Sequence, residues 1–110
     1  MVSQFRTYES AICFAQICRK LILDSDLKDQ LNRESASIAL NLAEGSAANT
    51  QKERHRFYII ALRSFRECEA IIRIANIKNE NLDEIVNKLG SQLYNLRKAT
   101  ARATSQDPGA

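Results

Sequence analysis

The spacing of apolar side chains along the chain predicts four helices. Apolar residues recur at intervals of three and four, which is the repeat of an amphipathic helix, in four segments. These segments run from about Thr7 to Asp24, from Leu27 to Glu44, from Thr50 to Ile77 and from Asn81 to Ala103. Short polar stretches separate them, so consecutive helices are expected to be antiparallel. The pattern therefore predicts an all-α, up-down-up-down four-helix bundle.

Residues typical of helix ends support these boundaries. Thr7 and Asp26 are candidate N-caps of the first two helices, and Gly45 stands where a C-terminal glycine closes the second. Thr50 and Glu53 have the spacing of a capping box at the start of the third helix, and Asn81 and Glu84 resemble a second such arrangement.

The third helix has a wider apolar surface than one bundle seam requires. On a helical wheel its apolar arc spans about 240°, against roughly 100° for an ordinary surface helix. The arc contains Phe57, Tyr58, Ile60, Ala61, Leu62, Ser64, Phe65, Cys68, Ile71, Ile72, Ile74 and Ala75. We expect other copies of the chain to cover the excess, because an exposed apolar patch of this size marks an association site. An unusually central helix in a monomer is the alternative.

Length and composition agree with one helical domain. The chain has 110 residues but only 3 glycines and 1 proline, too few for the turns of a sandwich or barrel. We expect a bundle domain at residues 1–103 and a disordered tail at 104–110. Hydrophobic residues at 45% exclude general disorder, and no apolar run approaches the about 18 residues of a membrane span. The N-terminus has no apolar signal core, so we expect a cytoplasmic location.

Residues that catalyse reactions or bind metals are few. Cys13, Cys18 and Cys68 form no C-x-x-C pair and lie on apolar helix faces, so we expect them to be reduced and buried. His55 is the single histidine and is not beside a cysteine. Residues 48–50 lack the arginine that helical ribonucleases place before their histidine, and no glycine-rich phosphate loop is present. We therefore expect no enzymatic activity, no metal and no cofactor.

Positive charge is concentrated in the third helix. Basic residues number five against six acidic ones in residues 1–50, seven against three in 51–78 and four against four in 79–110. The cations of the third helix that lie outside its apolar arc, along one edge, are Lys52, His55, Arg56, Arg63, Arg66 and Arg73. Two interpretations stay open, an ordinary solvated face and a surface that contacts phosphates.

Several segments resemble a known family. They are Phe5-Arg6-Thr7-Tyr8, Gln30-Leu31-Asn32-Arg33, the run Ser-Ile-Ala-Leu-Asn-Leu-Ala-Glu-Gly-Ser at 37–46, and Phe57, Ala61, Ser64, Glu67 and Glu69. Over residues 5–76 the chain is similar to the bacterial four-helix-bundle proteins encoded within intervening sequences of 23S ribosomal RNA genes. These are related to accessory proteins of diversity-generating retroelements. The segment from Asn41 to Gly45 is the most specific part of the resemblance.

This resemblance implies an assembly and partners. It implies a homopentameric barrel of bundles and, for the retroelement relatives, binding of RNA or DNA and of a reverse transcriptase. The chain departs from the family pattern at Ala47, Ala48 and Arg63, where glycine, a basic residue and glycine are usual. It also has Glu34 at a position where the family often has alanine. The loop after the second helix is therefore less basic than the resemblance implies.

The motif residues also have a structural interpretation. Glu44 opposes the negative end of a helix dipole, so we expect Arg33 or a cation from another helix or subunit to compensate it. Asn41 is expected to bond the loop backbone that follows Gly45. Ser64, on the buried line of the third helix, is expected to allow close helix approach.

Two functions stay open for the chain. The first is a non-enzymatic, homo-oligomeric accessory protein that binds nucleic acid through the basic edge of the third helix. The second is a structural or protein-interaction scaffold that binds no nucleic acid. The distinguishing feature is whether the arginines face solvent or are paired with Glu44, Glu67 and Glu69, since Glu67 and Glu69 lie at i,i+4 spacing from Arg63 and Arg73.

Overall fold

Four α-helices make up the protein in the computed structural model, which describes residues 2–105. They are α1 (Val2–Lys20), α2 (Ser25–Ser46), α3 (Gln51–Ile74) and α4 (Glu80–Ser105). No strand occurs within this range. The all-α four-helix bundle predicted from the sequence is therefore confirmed.

The helices are arranged as a square in cross-section. α1 and α3 each contact α2 and α4, whereas helices on the same diagonal make no close backbone contact. Ser37 of α2 lies beside Ser64 of α3, while Gly45, later in α2, lies beside Phe57, earlier in α3, so this pair is antiparallel. The described part of the chain measures 48 × 23 × 19 Å.

Aromatic side chains join the diagonal helices through the centre of the bundle. The rings of Phe14 in α1 and Phe65 in α3 have centroids 6.0 Å apart and are inclined at 55°. This is the tilted geometry that aromatic pairs favour. Leu31 and Ile38 of α2 and Leu89 of α4 are fully buried in the same core cluster as this pair. The core is thus continuous along the bundle.

Most of the wide apolar arc of α3 is covered within the chain itself. Tyr58, Leu62, Phe65 and Ile71 are all buried against neighbouring helices. At the margins of the arc, Ile60 and Ile74 remain 37% and 71% exposed. The bundle therefore accounts for most of this apolar surface, and only its margins are open to a further contact.

The ends of α1 differ from the prediction. Thr7 is not an N-cap, because α1 begins at Val2 and the buried Thr7 hydroxyl donates to the Ser3 carbonyl at 2.7 Å. The helix ends at Lys20 rather than Asp24, and Ile22, which the predicted helix would include, is almost fully exposed. Lys28 of α2 donates to the carbonyls at the end of α1 and so stabilises this early termination.

Both ends of α2 also differ. Asp24 occupies the N-cap position, and Asp26 lies in the first turn, where its charge is favourable to the helix dipole. Gly45 is not the residue that closes the helix. It is buried within α2, which continues to Ser46 and has Ala47 as its C-cap.

The ends of α3 and α4 depend on three polar residues. The Thr50 side chain accepts a hydrogen bond from the Glu53 amide at 3.1 Å, which confirms the predicted N-cap. α3 ends at Ile74, three residues before the predicted Ile77, because Asn76 takes a left-handed conformation with φ 55°. The cap of α4 is Asn79, whose Oδ1 accepts from the Leu82 amide, and not the predicted Asn81.

The C-terminal end of α4 lies two residues beyond the predicted Ala103. α4 continues through Thr104 to Ser105, so these two residues, which were expected in the tail 104–110, are helical. Residues 106–110 lie outside the described residues.

Candidate nucleic-acid interface

Five cations of α3 are exposed along the helix. Together they form what we call the α3 basic surface: Lys52, Arg56, Arg63, Arg66 and Arg73. Lys52 and Arg73 stand near opposite ends of α3, about 32 Å apart at 1.5 Å per residue. The helix presents these side chains outward because its opposite side supplies the core.

No carboxylate neutralises this surface within residues 2–105. Arg63 and Arg73 form no ion pair with Glu67 or Glu69, although their spacing on the helix permits one. The ion pair found in this range joins Arg33 to Glu34 at 3.9 Å, on α2. The α3 arginines are therefore open to solvent in the single chain.

His55 is placed differently from the other predicted residues. It is partly buried, and its Nδ1 lies 2.8 Å from the Oγ1 of Thr100 in α4. The Thr100 hydroxyl also lies 3.0 Å from the main-chain carbonyl of Leu96, one turn earlier in α4. His55 thus joins α3 to α4 and is not part of the α3 basic surface.

Two arginines that were not among the predicted site residues contact or lie near elements of this region. Arg97 of α4 lines a cleft together with Arg63 and Arg66 of α3. Arg54 donates to the carbonyls of Gly45 at 3.0 Å and Ala48 at 3.1 Å. The antiparallel register of α3 and α4 could have pointed to Arg97, whereas no local sequence signal singles out Arg54.

The α2–α3 seam contains a short hydrogen-bonded chain of motif residues. Asn41 donates to the carbonyl of Ser37 at 2.9 Å and to its hydroxyl at 3.1 Å. The Ser37 hydroxyl lies 2.9 Å from that of Ser64, which is buried. The expectation that Asn41 bonds the following loop was therefore wrong, because its amide turns back along α2. Ser64 is small and buried as expected, and it also contributes a polar contact.

The end of α2 is stabilised by Arg54 and not through Glu44. Glu44 is exposed, and Arg33 pairs with Glu34 instead, so the expected Arg33–Glu44 pair is absent from the described chain. The Arg54 guanidinium binds the carbonyl of Gly45 in the last turn of α2, where a cation is favourable, and that of Ala48 in the loop that follows. Compensation of Glu44 by another subunit stays a prediction.

The three cysteines are free thiols but are not all buried. Cys18 and Cys68 are fully buried, whereas Cys13 is exposed, contrary to the prediction. Burial raises the pKa of the Cys18 thiol to about 12, although nearby Lys28 and Arg19 oppose this shift. Among residues 2–105 no group of three or more His, Cys, Asp or Glu side chains is arranged to hold a metal ion.

These features define an antiparallel four-helix bundle with an exposed cationic surface on one helix. The sequence pattern of the 23S rRNA-intervening sequence protein family matches residues 4–102. The chain therefore belongs to that family. No curated protein and no solved structure matches it. None of the described helices is both long and apolar enough to cross a membrane.

Proposed function

We propose that this protein is a non-enzymatic, cytoplasmic accessory protein that binds RNA or DNA through the α3 basic surface. The observation that carries the proposal is the exposure of Arg63, Arg66 and Arg73 without a carboxylate partner in the described residues. Unpaired surface cations attract the phosphate backbone and release its counterions, which drives sequence-independent binding.

Base identity should matter little for this binding. The α3 basic surface carries no motif that reads a groove, and only 6% of the residues of the chain are aromatic. We therefore expect affinity to depend on salt concentration and phosphate contacts more than on sequence. The logarithm of the affinity should fall by about 0.7 to 0.9 per neutralised phosphate for each tenfold rise in salt.

The proposal includes a homo-oligomer, with five subunits preferred because the family resemblance implies them. Apolar side chains that the bundle leaves exposed, including Leu40 at 66% and Ile74 at 71%, are available for such contacts. With a net charge of +3 per chain, an assembly would concentrate positive charge. Light scattering at micromolar concentration tests this part, and a 12.4 kDa monomer would contradict it.

The test of function is a filter-binding titration with RNA and with DNA at two salt concentrations. Replacing Arg63, Arg66 and Arg73 by Gln should weaken binding at least tenfold, about 1.4 kcal/mol, without changing helical content or oligomer size. A matched control replaces Arg19, Lys20 and Arg33, which are exposed on α1 and α2, by Gln and removes the same charge.

The outcomes separate nucleic-acid binding from a scaffold role. Loss of affinity in the α3 variant but not in the control supports the proposal. Equal losses in both would mean that net charge, and not this surface, controls binding. If the unmodified protein binds neither RNA nor DNA at low salt, the protein is a structural or protein-interaction scaffold instead.

A further inference from the structure

A cleft between α3 and α4 brings three arginines together. Its volume is about 300 Å³, and it is lined by Ile59, Leu62, Arg63, Arg66 and Arg97. We call it the arginine cleft. α3 supplies four of these residues and α4 supplies Arg97, so the site exists only when the two helices are packed.

All charged residues of the arginine cleft are cations. Its lining contains no carboxylate, and no ion pair involves Arg97 within residues 2–105. Two of the grooves between α1 and α4 differ, because one is lined by Glu9 together with Lys88 and the other by Glu84 together with Lys88. Three arginines that line one cleft favour an anion there, and the planar donors of arginine match the oxygens of a phosphate.

The arginine cleft also has an apolar part. Leu62 is 8% exposed, and Ile59 beside it is partly exposed. The volume of about 300 Å³ lies at the lower end of the range of small-molecule pockets, which run from about 300 to 1,000 Å³. A ligand with an anionic group and an apolar face would therefore use both parts of the lining.

We propose that the arginine cleft holds one nucleotide of a single-stranded nucleic acid. Arg63, Arg66 and Arg97 bind its phosphate, and its sugar and base lie against Ile59 and Leu62. A duplex keeps its bases stacked and paired, whereas a single strand can turn an unstacked nucleotide into a cleft. This inference rests on the proposed function and adds to it a site, a strand preference and a contribution from α4.

The experiment measures fluorescence anisotropy with labelled oligouridylate and with an RNA duplex of the same length. Arg97→Gln removes one cation from the arginine cleft. Arg73→Gln is the matched control, since it removes one exposed cation of α3 outside the cleft. Arg97→Lys retains the charge but loses the planar donor pair. Circular dichroism and light scattering verify that each variant keeps the helical content and assembly of the unmodified protein.

For oligouridylate we expect Arg97→Gln to weaken binding at least tenfold and Arg73→Gln by less than threefold, on the order of one lost phosphate contact. Arg97→Lys should also weaken binding more than Arg73→Gln does. For the duplex, the losses in Arg97→Gln and Arg73→Gln should be alike.

Two results would overturn the inference in different ways. If Arg97→Gln and Arg73→Gln weaken oligouridylate binding equally, the arginine cleft is not a nucleotide site, but the proposed function stands. If the unmodified protein binds neither probe at low salt, both the proposed function and the arginine cleft are refuted.

Discussion

Gly45 of α2 lies directly against the ring of Tyr58 in α3, so that a Cβ atom at position 45 would lie 2.9 Å from Cδ1 of Tyr58. The same atom would lie 3.3 Å from Cβ of Phe57. Tyr58 is 1% exposed, so its ring is enclosed in the core and cannot move aside into solvent. The absence of a side chain at Gly45 therefore determines how closely the end of α2 approaches the start of α3.

This contact predicts that Gly45→Ala destabilises the protein. Alanine in a helix gains about 1 kcal/mol over glycine, but overpacking a core costs about 1 to 3 kcal/mol. We expect a net loss of about 1 kcal/mol in the free energy of unfolding, measured by urea denaturation. Gly90→Ala is the control, because its Cβ would lie 3.2 Å from the ring edge of Phe65 and should cost less. A Gly45→Ala variant as stable as Gly90→Ala would contradict the close-packing explanation.

Gly45 also shows what the sequence could and could not predict. Apolar periodicity predicted four helices and their order, because burial of one face is a local property of each segment. The role of Gly45 depends on Tyr58, a residue of another helix, and a glycine near a predicted helix end is usually a C-terminal cap. The position of Gly45 in the sequence therefore indicated a helix cap, whereas the structure shows a close contact between two helices.

The end of α1 depends on a side chain from α2. Lys28 Nζ donates to the carbonyls of Cys18 at 3.1 Å and Arg19 at 2.6 Å, and also to that of Leu21. Lys28→Met should therefore lower the free energy of unfolding by about 1 to 2 kcal/mol, since it leaves these carbonyls without their charged donor. Lys20→Met, which removes an exposed cation from the last turn of α1, should have a smaller effect. If urea titrations show that both variants lose the same free energy of unfolding, the loss comes from removing a positive charge and not from the bonds of Lys28.

Asn76 closes α3 in a conformation that favours glycine. Asn76 has φ 55°, and its backbone N–H donates to the carbonyl of Arg73. The backbone N–H of Ile77 donates to the carbonyl of Ile72, so the two bonds form a Schellman motif. Asn76→Ala should cost about 1 kcal/mol, because alanine resists the left-handed conformation. Asn76→Gly should be neutral or stabilising. Thermal unfolding of both variants tests this, and equal melting temperatures would contradict it.

The candidate site was predicted less completely than the fold. Helical periodicity correctly placed Arg63, Arg66 and Arg73 on the exposed side of α3, because they lie opposite its apolar arc. Helical periodicity could not distinguish His55 from these arginines, because the contact between His55 and Thr100 depends on the register between α3 and α4. Arg97 was missed for the same reason. Contacts between helices far apart in sequence are not encoded in the pattern of any one helix.

The exposure of the thiols predicts selective labelling. Cys13 is exposed, whereas Cys18 and Cys68 are buried. In the native protein at pH 8 we expect Ellman's reagent to modify one thiol per chain rapidly, and all 3 thiols only in denaturant. Cys13→Ser should abolish the rapid reaction. A rapid reaction that persists in Cys13→Ser would mean that a buried thiol opens readily to solvent.

Burial of the thiols also predicts a loss of stability at alkaline pH. Desolvation raises the pKa of Cys18 from 9.0 to about 12, and it raises the pKa of Cys68 as well. Above pH 9 the unfolded chain loses these protons while the folded chain retains them, so the unfolded state binds fewer protons and stability falls as pH rises. Each thiol should contribute a loss of about 1.4 kcal/mol per pH unit between the unfolded and folded pKa values.

The test compares urea denaturation at pH 7 and pH 10 for the unmodified protein and for Cys18→Ala. The variant should be less stable at pH 7, because a cavity replaces the buried sulfur. Its further loss of unfolding free energy between pH 7 and pH 10 should nevertheless be smaller by about 1.4 kcal/mol, since one thiol that ionises in the unfolded chain has been removed. An unchanged loss in Cys18→Ala would show that other groups cause the alkaline destabilisation.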